Sequence, residues 1–524
     1  MARVLVTEEL AERGLARMRD AGHEVDVRLG LSPDELLNVV PGAHALVIRS
    51  ETQVTPAVLE AGKDLVIVGR AGVGIDNVDV QAATRLGVMV ANAPLSNVVS
   101  NAEHTMALLL AQARNVPQAN ESLKGGQWAR SKLAGVELYG KTLGLLGLGR
   151  VGTLVAQRAN AFGMRIVAWD PWISPERPRK LGIELLELDD LVRQADFLSV
   201  HLLKTPDSVG LINAQLLRNA KPGLRIINTA RGGIIDEQAL ADAVAAGTVG
   251  GAAIDVFATE PTTASPLFGL DKVVVTPHLG ASTREAQDKA GEAIADQVVL
   301  ALAGDFVPYA VNIDADEAAE GVRPYLALAE RLGRIFGALD RSATGTIQVG
   351  YQGQLADYDT RILTLAVLKG LLGRLVREPV SYVNAPKLAA EAGIEVDESR
   401  TSAAADYVNL ITVRSHDHAI AGTLFGVRNE ARLVMVDEHT VDIPPARHML
   451  VVRNDDRPGM IGVVGSRLGR AGVNISDMDV GRSLSGEAAL MVLSTDQPVP
   501  DRVLAELRAE PGILRVDGLS QAGE

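Results

Sequence analysis

The stretch 144–170, GLLGLGRVGTLVAQRANAFGMRIVAWD, decides the fold of this chain. An apolar run that is typical of a buried strand leads into a glycine-rich turn, a helix and a second apolar run. Gly147, Gly149 and Gly152 have the spacing G-x-G-x-x-G. In a strand–turn–helix–strand unit such glycines permit a tight turn, close approach of backbone N–H groups to a pyrophosphate, and close helix packing. A glycine-rich turn without a ligand is the alternative, but the complete unit favours pyrophosphate binding.

An aspartate closes the same stretch. Asp170 ends the second run, near the offset at which an acidic residue accepts hydrogen bonds from an adenosine ribose. A carboxylate at this position would repel a 2′-phosphate. We therefore expect NAD, and not NADP, as the cofactor.

Short apolar runs alternate with helical patterns as far as about residue 280. This rhythm is typical of buried parallel strands with helices between them. Ten runs exceed one ordinary sheet, so we expect an α/β fold with two Rossmann-like, doubly wound parallel-sheet domains. The runs are RVLV, ALVIR, LVIVGR, VMVANAP, TLGLLGLG, RIVAWD, FLSVH, RIINTA, GAAIDVF and VVVTPH.

The alternation of apolar runs and helical patterns does not continue through the rest of the chain. Two long helical patterns are predicted to cross between the first two sheets. We predict a substrate-binding domain at 1–97 with 283–312, and an NAD-binding domain at 98–282. An α+β intervening domain is predicted at 315–447, and a βαββαβ module at 448–524.

The composition excludes several classes of protein. The 524 residues include no cysteine, which excludes disulfides and thiolate metal sites. The net charge of −14 argues against a nucleic-acid partner. No apolar stretch approaches the ~20 residues of a membrane span, and the first residues do not resemble a signal peptide. We expect a cytoplasmic protein without a membrane partner.

Three polar residues follow predicted strand ends in the domain of the glycine turn: Arg231, Glu260 and His278. Ligands of parallel sheets bind outside the carboxyl ends of the strands, so these side chains could line one cleft. A histidine held by a carboxylate is a general base, and an arginine can bind a substrate carboxylate through two hydrogen bonds. The set suits hydride transfer from a 2-hydroxy acid. Each residue alone could equally be a turn or helix-entry residue.

The motifs GLLGLGRVG, INTARGGIIDEQAL, DVFATEP and TPHLGAST resemble those of the D-isomer-specific 2-hydroxyacid dehydrogenase family, over residues 1 to about 310. The resemblance implies that Arg231, Glu260 and His278 form the catalytic triad. It also implies cofactor contacts at Gly147, Gly149, Arg150, Val151, Gly152, Asp170, Thr229, Ala230, Asp255, Gly280 and Ala281.

The substrate needs a further argument. A phosphorylated hydroxy acid carries roughly three negative charges near neutral pH, so an acidic protein needs a local cationic pocket to bind it. Arg49 and Arg70 end predicted strands, and a loop around Trp128 adds two more cations. Solvated surface charge is the alternative for each. The predicted substrate-binding residues are Arg49, Arg70, Asn97, Arg130 and Lys132.

The segment VVRNDDRPGMIGVVGSRLGRAGVNISDMDVGR resembles an ACT domain, a regulatory module that binds amino acids at a subunit interface. The resemblance implies effector binding by Asp456 and Gly459 in the strand-to-helix turn, and by Asn474 from a partner subunit. An assembly domain without a ligand is the alternative.

The order of core, intervening domain and ACT module resembles the long-form branch of this family that oxidises D-3-phosphoglycerate. It implies formation of 3-phosphohydroxypyruvate in the first step of L-serine biosynthesis, feedback inhibition by L-serine, and a homo-oligomer, expected as a tetramer. Another 2-hydroxyacid dehydrogenase, such as a glyoxylate-type reductase, and a non-enzymatic NAD-binding scaffold are the alternatives. No metal site is expected, because His416 and His418 lack further ligands nearby in the sequence.

Overall fold

The chain folds around four separate β-sheets. The computed structural model describes residues 1–174, 176–313, 321–340, 344–376, 380–403, 406–482 and 488–520. Residues 315–320 and 521–524, at the ends of two predicted domains, lie outside the described residues. The predicted fold class is confirmed: two parallel-sheet units are followed by a mixed-sheet unit and a βαββαβ unit.

The first sheet has five parallel strands in the order β2-β1-β3-β4-β5. The sequence runs did not reveal β2, an edge strand of sequence EVDV that contains no fully buried residue. The strands are β1 (Arg3–Val6), β2 (Glu24–Val27), β3 (Ala45–Ile48), β4 (Ile67–Arg70) and β5 (Met89–Ala91). The helices are α1 (Glu12–Asp20), α2 (Pro33–Val39), α3 (Pro56–Ala61) and α4 (Val80–Arg85).

The second sheet has seven parallel strands in the order β12-β11-β10-β9-β6-β7-β8. The strand order reverses between β6 and β9, which is where parallel sheets of this kind bind ligands. The strands are β6 (Thr142–Leu146), β7 (Arg165–Trp169), β8 (Glu184–Leu185), β9 (Phe197–Val200), β10 (Leu224–Asn228), β11 (Val249–Ile254) and β12 (Val273–Val275). The helices are α5 (Val98–Ala113), α6 (Val116–Lys124), α7 (Arg150–Ala161), α8 (Glu176–Lys180), α9 (Leu188–Gln194), α10 (Ala214–Arg218) and α11 (Glu237–Ala245), with a 3-10 turn at Arg130–Lys132.

Helix α12 (Arg284–Ala303) follows the second sheet and packs back against the first. A Cβ on Gly14 of α1 would lie 2.6 Å from the carbonyl oxygen of Gly291, so glycine at position 14 permits a close helix crossing. Salt bridges from Arg17 to Glu292 and Asp296 lie beside this contact. The first sheet is therefore covered by helices from two distant parts of the sequence.

A mixed six-stranded sheet, in the order β14-β13-β15-β16-β17-β18, forms the third unit. Its helices are α13 (Leu326–Leu339), α14 (Arg361–Leu375) and α15 (Ala385–Glu391), with 3-10 turns at Arg323–Tyr325 and Gln354–Asp357. Its strands are β13 (Gly345–Gly353), β14 (Ile394–Thr401), β15 (Asn409–Arg414), β16 (Ala419–Phe425), β17 (Glu430–Val436) and β18 (His439–Ile443).

The last unit is an antiparallel sheet in the order β20-β21-β19-β22 with two helices. Its elements are β19 (His448–Asp455), α16 (Met460–Arg470), β20 (Ile475–Arg482), β21 (Ala488–Thr495), α17 (Asp501–Arg508) and β22 (Ile513–Ser520). Among the described helices of the whole chain, none combines the length and the apolar character that a bilayer span requires.

Candidate active site

A cleft of about 990 Å³ opens between the first and second sheets. Its walls come from the loops after β3 and β4 on one side and from the loops after β11 and β12 on the other. The cleft brings together six of the residues that the sequence singled out. They are Arg49, Arg70, Asn97, Glu260, His278 and Ala281.

The glycine turn lies between β6 and α7 and needs each of its glycines for a different reason. Gly147 has a φ of 94°, and a Cβ on Gly152 would lie 2.3 Å from the carbonyl oxygen of Gly147. Gly149 has open space around its Cβ position and is followed directly by Arg150 and Val151 in the first turn of α7. A helix N-terminus behind open backbone fits a pyrophosphate. The predicted dinucleotide turn therefore has the required geometry.

Asp170 fastens the end of β7 to this turn. One carboxylate oxygen accepts the N–H of Leu148 at 2.8 Å, and the other accepts the N–H of Trp172 at 3.1 Å. The carboxylate thus lies beside the glycine turn, where the predicted ribose contact requires it. That contact stays a prediction.

His278 and Glu260 form a hydrogen-bonded pair in the cleft. His278 Nδ1 lies 2.6 Å from Glu260 Oε2, and Glu260 Oε1 accepts the N–H of Phe257 at 2.8 Å. Burial alone would raise the pKa of Glu260, but the hydrogen bonds from His278 and Phe257 hold that pKa below its ordinary value. A charged Glu260 fixes the proton of the imidazole on Nδ1, which leaves Nε2 free to accept a proton from a substrate.

The backbone of His278 is in the left-handed region, with a φ of 54°. This conformation is uncommon for a residue with a side chain, and its conformational free-energy cost must be offset by contacts with neighbouring residues. The N–H of His278 donates to the carbonyl oxygen of Asp255 at 2.8 Å. The loop that carries the imidazole is therefore held by the strand end of β11.

The side chain of Asp255 is fully buried and holds the same loop. Its oxygens accept hydrogen bonds from the N–H groups of Leu279 at 2.8 Å and Gly280 at 2.9 Å, and from the hydroxyl of Thr276 at 2.5 Å. Burial would raise the pKa of Asp255, but its hydrogen bonds, foremost those with His104 and Thr276, lower it. The geometry gives Asp255 a positioning role, and its predicted cofactor contact stays a prediction.

Arg231 reaches from the second sheet towards the first. Its Nη1 donates to the carbonyl oxygen of Ala230 at 2.8 Å, and its Nε lies 3.4 Å from Asp76 Oδ2. A Cβ on Gly74 would lie 2.4 Å from Nη2, so a larger residue at position 74 would displace the guanidinium. A Cβ on Gly232 would lie 1.7 Å from the carbonyl oxygen of Phe257, which keeps the Arg231 loop tight against the Glu260 loop.

Two further arginines place positive charge on the substrate side of the cleft. Arg70 Nε donates to the carbonyl oxygen of Arg49 at 3.2 Å. Burial and then the nearby charge of Arg231 lower the pKa of Arg70 to about 10. Arg70 remains a cation at neutral pH. Three guanidinium groups thus create a local positive field in a chain with a net charge of −14.

The other predicted substrate and cofactor residues lie in different places. Arg130 and Lys132 form an exposed 3-10 turn, and neither is among the described residues that line the cleft. Thr229 is buried against Thr105, with 2.7 Å between the two hydroxyl oxygens. Ala281 lines the cleft beyond His278. Ala230 lies between Thr229 and Arg231 at the end of β10, and its N–H donates to Asn228 Oδ1 at 3.0 Å.

The predicted effector residues lie at opposite ends of α16. Asp456 and Gly459 precede the helix, where Gly459 has a φ of 95°, and Asn474 follows it. The 11 residues of α16 span about 16 Å, which is too long for one small ligand to bridge. One copy of the chain therefore does not bring the three residues together.

The two histidines considered for a metal site are each paired with a carboxylate. His416 is exposed and lies 2.9 Å from Asp417, and buried His418 lies 2.9 Å from Asp437. Within the described ranges, no group of three or more His, Cys, Asp or Glu side chains is arranged to hold a metal ion.

Sequence reasoning missed one residue that lines the cleft and two that contact predicted site residues. Asp76 faces Arg231, Glu8 lines the wall beside Arg49, and His104 contacts Asp255. Asp76 lies in the segment GRAGVGIDNVD and His104 in the segment NVVSNAEHTMALLL. Glu8 had no signal beyond its place after the first strand.

Three family descriptions match successive parts of the chain. Residues 106–280 match "D-isomer specific 2-hydroxyacid dehydrogenase, NAD binding domain". Residues 321–437 match "D-3-phosphoglycerate dehydrogenase intervening domain", and residues 448–512 match "ACT domain". The matches follow the order of the second, third and fourth sheets.

Curated relatives match almost the whole chain. A D-3-phosphoglycerate dehydrogenase of Mycobacterium tuberculosis is 47 % identical over 513 residues, which cover 97 % of each chain. An Archaeoglobus fulgidus protein of the same name is 42 % identical over 521 residues, which cover 98 % of each chain.

Solved structures match the first two sheets and their helices. The TT0316 protein of Thermus thermophilus has a TM-score of 0.55 and 37 % identity, covering 59 % of this chain and 99 % of its own. A D-lactate dehydrogenase of Aquifex aeolicus, solved with NAD and lactic acid, has a TM-score of 0.52 and 26 % identity. The match covers 58 % of this chain and 96 % of that protein.

Proposed function

Because the chain belongs to the D-isomer specific 2-hydroxyacid dehydrogenase family, we propose that it oxidises D-3-phosphoglycerate to 3-phosphohydroxypyruvate with NAD, the first step of L-serine biosynthesis. One observation carries the proposal: the His278–Glu260 pair lies in a cleft that also contains Arg49 and Arg70. The pair supplies a base for a hydroxyl group, and the arginines supply the charge that a phosphorylated acid requires.

The glycine turn and the N-terminus of α7 would bind the pyrophosphate of NAD, with Asp170 at the adenosine ribose. When bound, NAD accepts the hydride that leaves C2 of the substrate. The loop of His278 faces the cleft from the same sheet. We therefore assign the cofactor to the second sheet and the substrate's phosphate to the first.

His278 removes the proton of the substrate hydroxyl through Nε2, and Glu260 stabilises the imidazolium that forms. Arg231 binds the substrate carboxylate and polarises the developing carbonyl oxygen. The contact of Arg231 with Asp76, which belongs to the first-sheet unit, orients the guanidinium. The roles of His278 and Glu260 are supported by their places in the cleft, and the role of Arg231 by its contact with Asp76.

Arg49 and Arg70 bind the phosphate group, since both are cations on the first-sheet wall of the cleft. We expect Arg49→Ala to raise KM for D-3-phosphoglycerate tenfold or more, about 1.4 kcal/mol. Steady-state rates at saturating NAD give this value. An unchanged KM would remove Arg49 from the substrate site.

Regulation by L-serine is the second part of the proposal. The ACT unit supplies the turn with Asp456 and Gly459, and a second copy would supply Asn474 across the interface. The spacing along α16 supports a site shared between two subunits, and hence a homo-oligomer, for which we propose a tetramer. We also propose a cytoplasmic location, where the cysteine-free chain is at no disadvantage.

The experiment is the initial rate of NADH formation from NAD and D-3-phosphoglycerate across a titration of L-serine. We expect turnover that falls as serine rises. A rate that does not change with the serine concentration would indicate that the last unit is an assembly domain. Absence of turnover, with glyoxylate or another hydroxy acid active, would overturn the assignment of the substrate.

A further inference from the structure

The loop that follows β3 wraps around the carboxylate of Glu8. Oε1 of Glu8 accepts the N–H of Arg49 at 2.8 Å and that of Thr52 at 3.0 Å. Oε2 accepts the N–H of Ser50 at 3.0 Å and that of Glu51 at 3.1 Å. Four consecutive backbone donors thus converge on one side chain. Successive N–H groups of this kind form an anion-binding nest, and here the protein's own carboxylate occupies it.

Glu8 is charged at neutral pH. Burial would raise the pKa of Glu8, but the N–H groups of Thr52, Arg49 and Glu51 outweigh burial and lower it. The four hydrogen bonds are therefore charge-assisted, which makes them stronger than bonds between neutral groups.

A carboxylate on this wall is unexpected from charge alone. Glu8 lines the cleft together with Arg49, and a substrate with roughly three negative charges is repelled by it. Its hydrogen bonds give it another role. The carbonyl oxygen of Arg49 accepts from Arg70 Nε at 3.2 Å and from Asn77 Nδ2 at 2.9 Å. Glu8 thus binds the N–H group of Arg49, whose carbonyl oxygen is already bound by Arg70 and Asn77.

We propose that Glu8 is a positioning residue for substrate phosphate: it holds the loop at residues 49–52 so that the guanidinium of Arg49 meets the phosphate group. The inference rests on the proposed function, in which Arg49 binds that group. Because Glu8 occupies the N–H groups of the loop, the phosphate is bound by side chains and not by this nest. Guanidinium groups then recognise the phosphate in the cleft.

The test compares Glu8→Gln with Glu9→Gln. Glu9 lines the same cleft, but among the described contacts its carboxylate accepts none of the four N–H groups. If each carboxylate acted only by repelling the substrate, both substitutions would lower KM for D-3-phosphoglycerate. If Glu8 positions the loop, Glu8→Gln alone raises KM tenfold or more while kcat stays within threefold. A KM that falls or stays unchanged in a folded Glu8→Gln enzyme overturns the inference.

A double-mutant cycle tests whether Glu8 acts through Arg49. In an Arg49→Ala background, Glu8→Gln should change KM by less than threefold, and a further tenfold rise would overturn the inference. Thermal melting checks that each variant folds. Should Glu8→Gln not fold, Glu8→Asp keeps the charge on a shorter side chain. It should raise KM at least threefold, and an unchanged KM would again overturn the inference.

The two proposals can fail separately. A wild-type chain without turnover of D-3-phosphoglycerate contradicts the proposed function. A wild-type chain with normal turnover, beside Glu8→Gln and Glu9→Gln variants that behave alike, contradicts only the role of Glu8.

Discussion

At the residue scale, the chemistry depends on a short contact between two loops that are 18 positions apart. The proposed base, His278, is oriented by Glu260, and its unusual backbone is held by the carbonyl of Asp255. The imidazole is thus fixed through both its side chain and its main chain. Such preorganisation fixes the orientation of the imidazole before a substrate binds.

His278→Ala removes the proposed base. We expect kcat to fall by a factor of the order of 10²–10⁴, because general base catalysis contributes about that much. Rates of NADH formation at saturating substrates measure the loss. His416→Ala, which changes an exposed histidine distant in sequence, is the matched control and should retain full activity. A loss below tenfold in His278→Ala would mean that another group is the base.

Arg231→Lys keeps the charge but loses the planar fork. We expect kcat/KM to fall at least tenfold, because an ammonium cannot bind a carboxylate through two parallel hydrogen bonds and also contact Asp76. The control is Arg218→Lys on the exposed surface of α10. Near-normal kcat/KM for Arg231→Lys would contradict its assignment to the substrate carboxylate.

The sequence predicted these three side chains because each follows a recognisable strand. It could not predict Asp76 as the partner of Arg231, because Asp76 comes from the other sheet. That contact depends on how the two sheets face each other across the cleft, and no local pattern encodes that angle. Arg130 and Lys132 show the converse, since positive charge in a loop does not fix where the loop lies.

At the element scale, the residues around the glycine turn form the strand, turn, helix and second strand that their sequence predicts. The strand β2 was not predicted because its sequence, EVDV, mixes charged and apolar residues. It lies at a sheet edge, where only part of each side chain is buried. Buried strands leave continuous apolar runs, whereas edge strands do not. In the two parallel sheets, the apolar runs thus located every described strand except the edge strands β2 and β8.

Two alanine substitutions separate cofactor binding from folding in this unit. Gly149 has a φ of −69° and open space at its Cβ position, so Gly149→Ala should change the free energy of unfolding by less than about 0.5 kcal/mol. It should nevertheless weaken NAD binding, because the added methyl group enters the space for the pyrophosphate. In Gly152→Ala the Cβ meets the carbonyl of Gly147 at 2.3 Å, so stability should fall by about 1–3 kcal/mol.

Thermal melting without ligand and calorimetric titration with NAD measure the two effects. Equal destabilisation by both substitutions would show that the turn is tight throughout. Normal NAD binding by Gly149→Ala would show that the pyrophosphate does not approach this part of the backbone.

At the scale of the whole molecule, the third unit contacts the first unit around the end of α4. Ser381 Oγ lies 3.4 Å from the carbonyl oxygen of Gly87, and Lys387 Nζ lies 3.4 Å from that of Arg85. A stronger contact lies at the C-terminus of α12, the helix that begins just after the loop of His278. Sequence patterns revealed the order of the units, but such contacts between units have no local signature.

Lys369 of α14 is the centre of that stronger contact. Its Nζ donates to the carbonyl oxygen of Gly304 at 2.6 Å and to Glu330 Oε2 at 3.0 Å, and lies 5.0 Å from the ring centroid of Tyr382. The lysine and glutamate side chains are only 12 % and 15 % exposed. A cation at the C-terminal carbonyls of a helix is also favoured by the helix dipole. One side chain therefore joins the third unit to α12.

Lys369→Met should lower the free energy of unfolding by about 1.5–3 kcal/mol, because a buried hydrogen bond to a charged group is lost and Glu330 keeps only Arg334 as an ion-pair partner in the described structure. Lys387→Met is the matched control: this lysine is 58 % exposed, so its loss should change stability by less than about 1 kcal/mol. A chain of several units unfolds in steps, so calorimetry should follow the first transition. If the first transition occurred at the same temperature in both variants, the contact of Lys369 with α12 would not hold the units together.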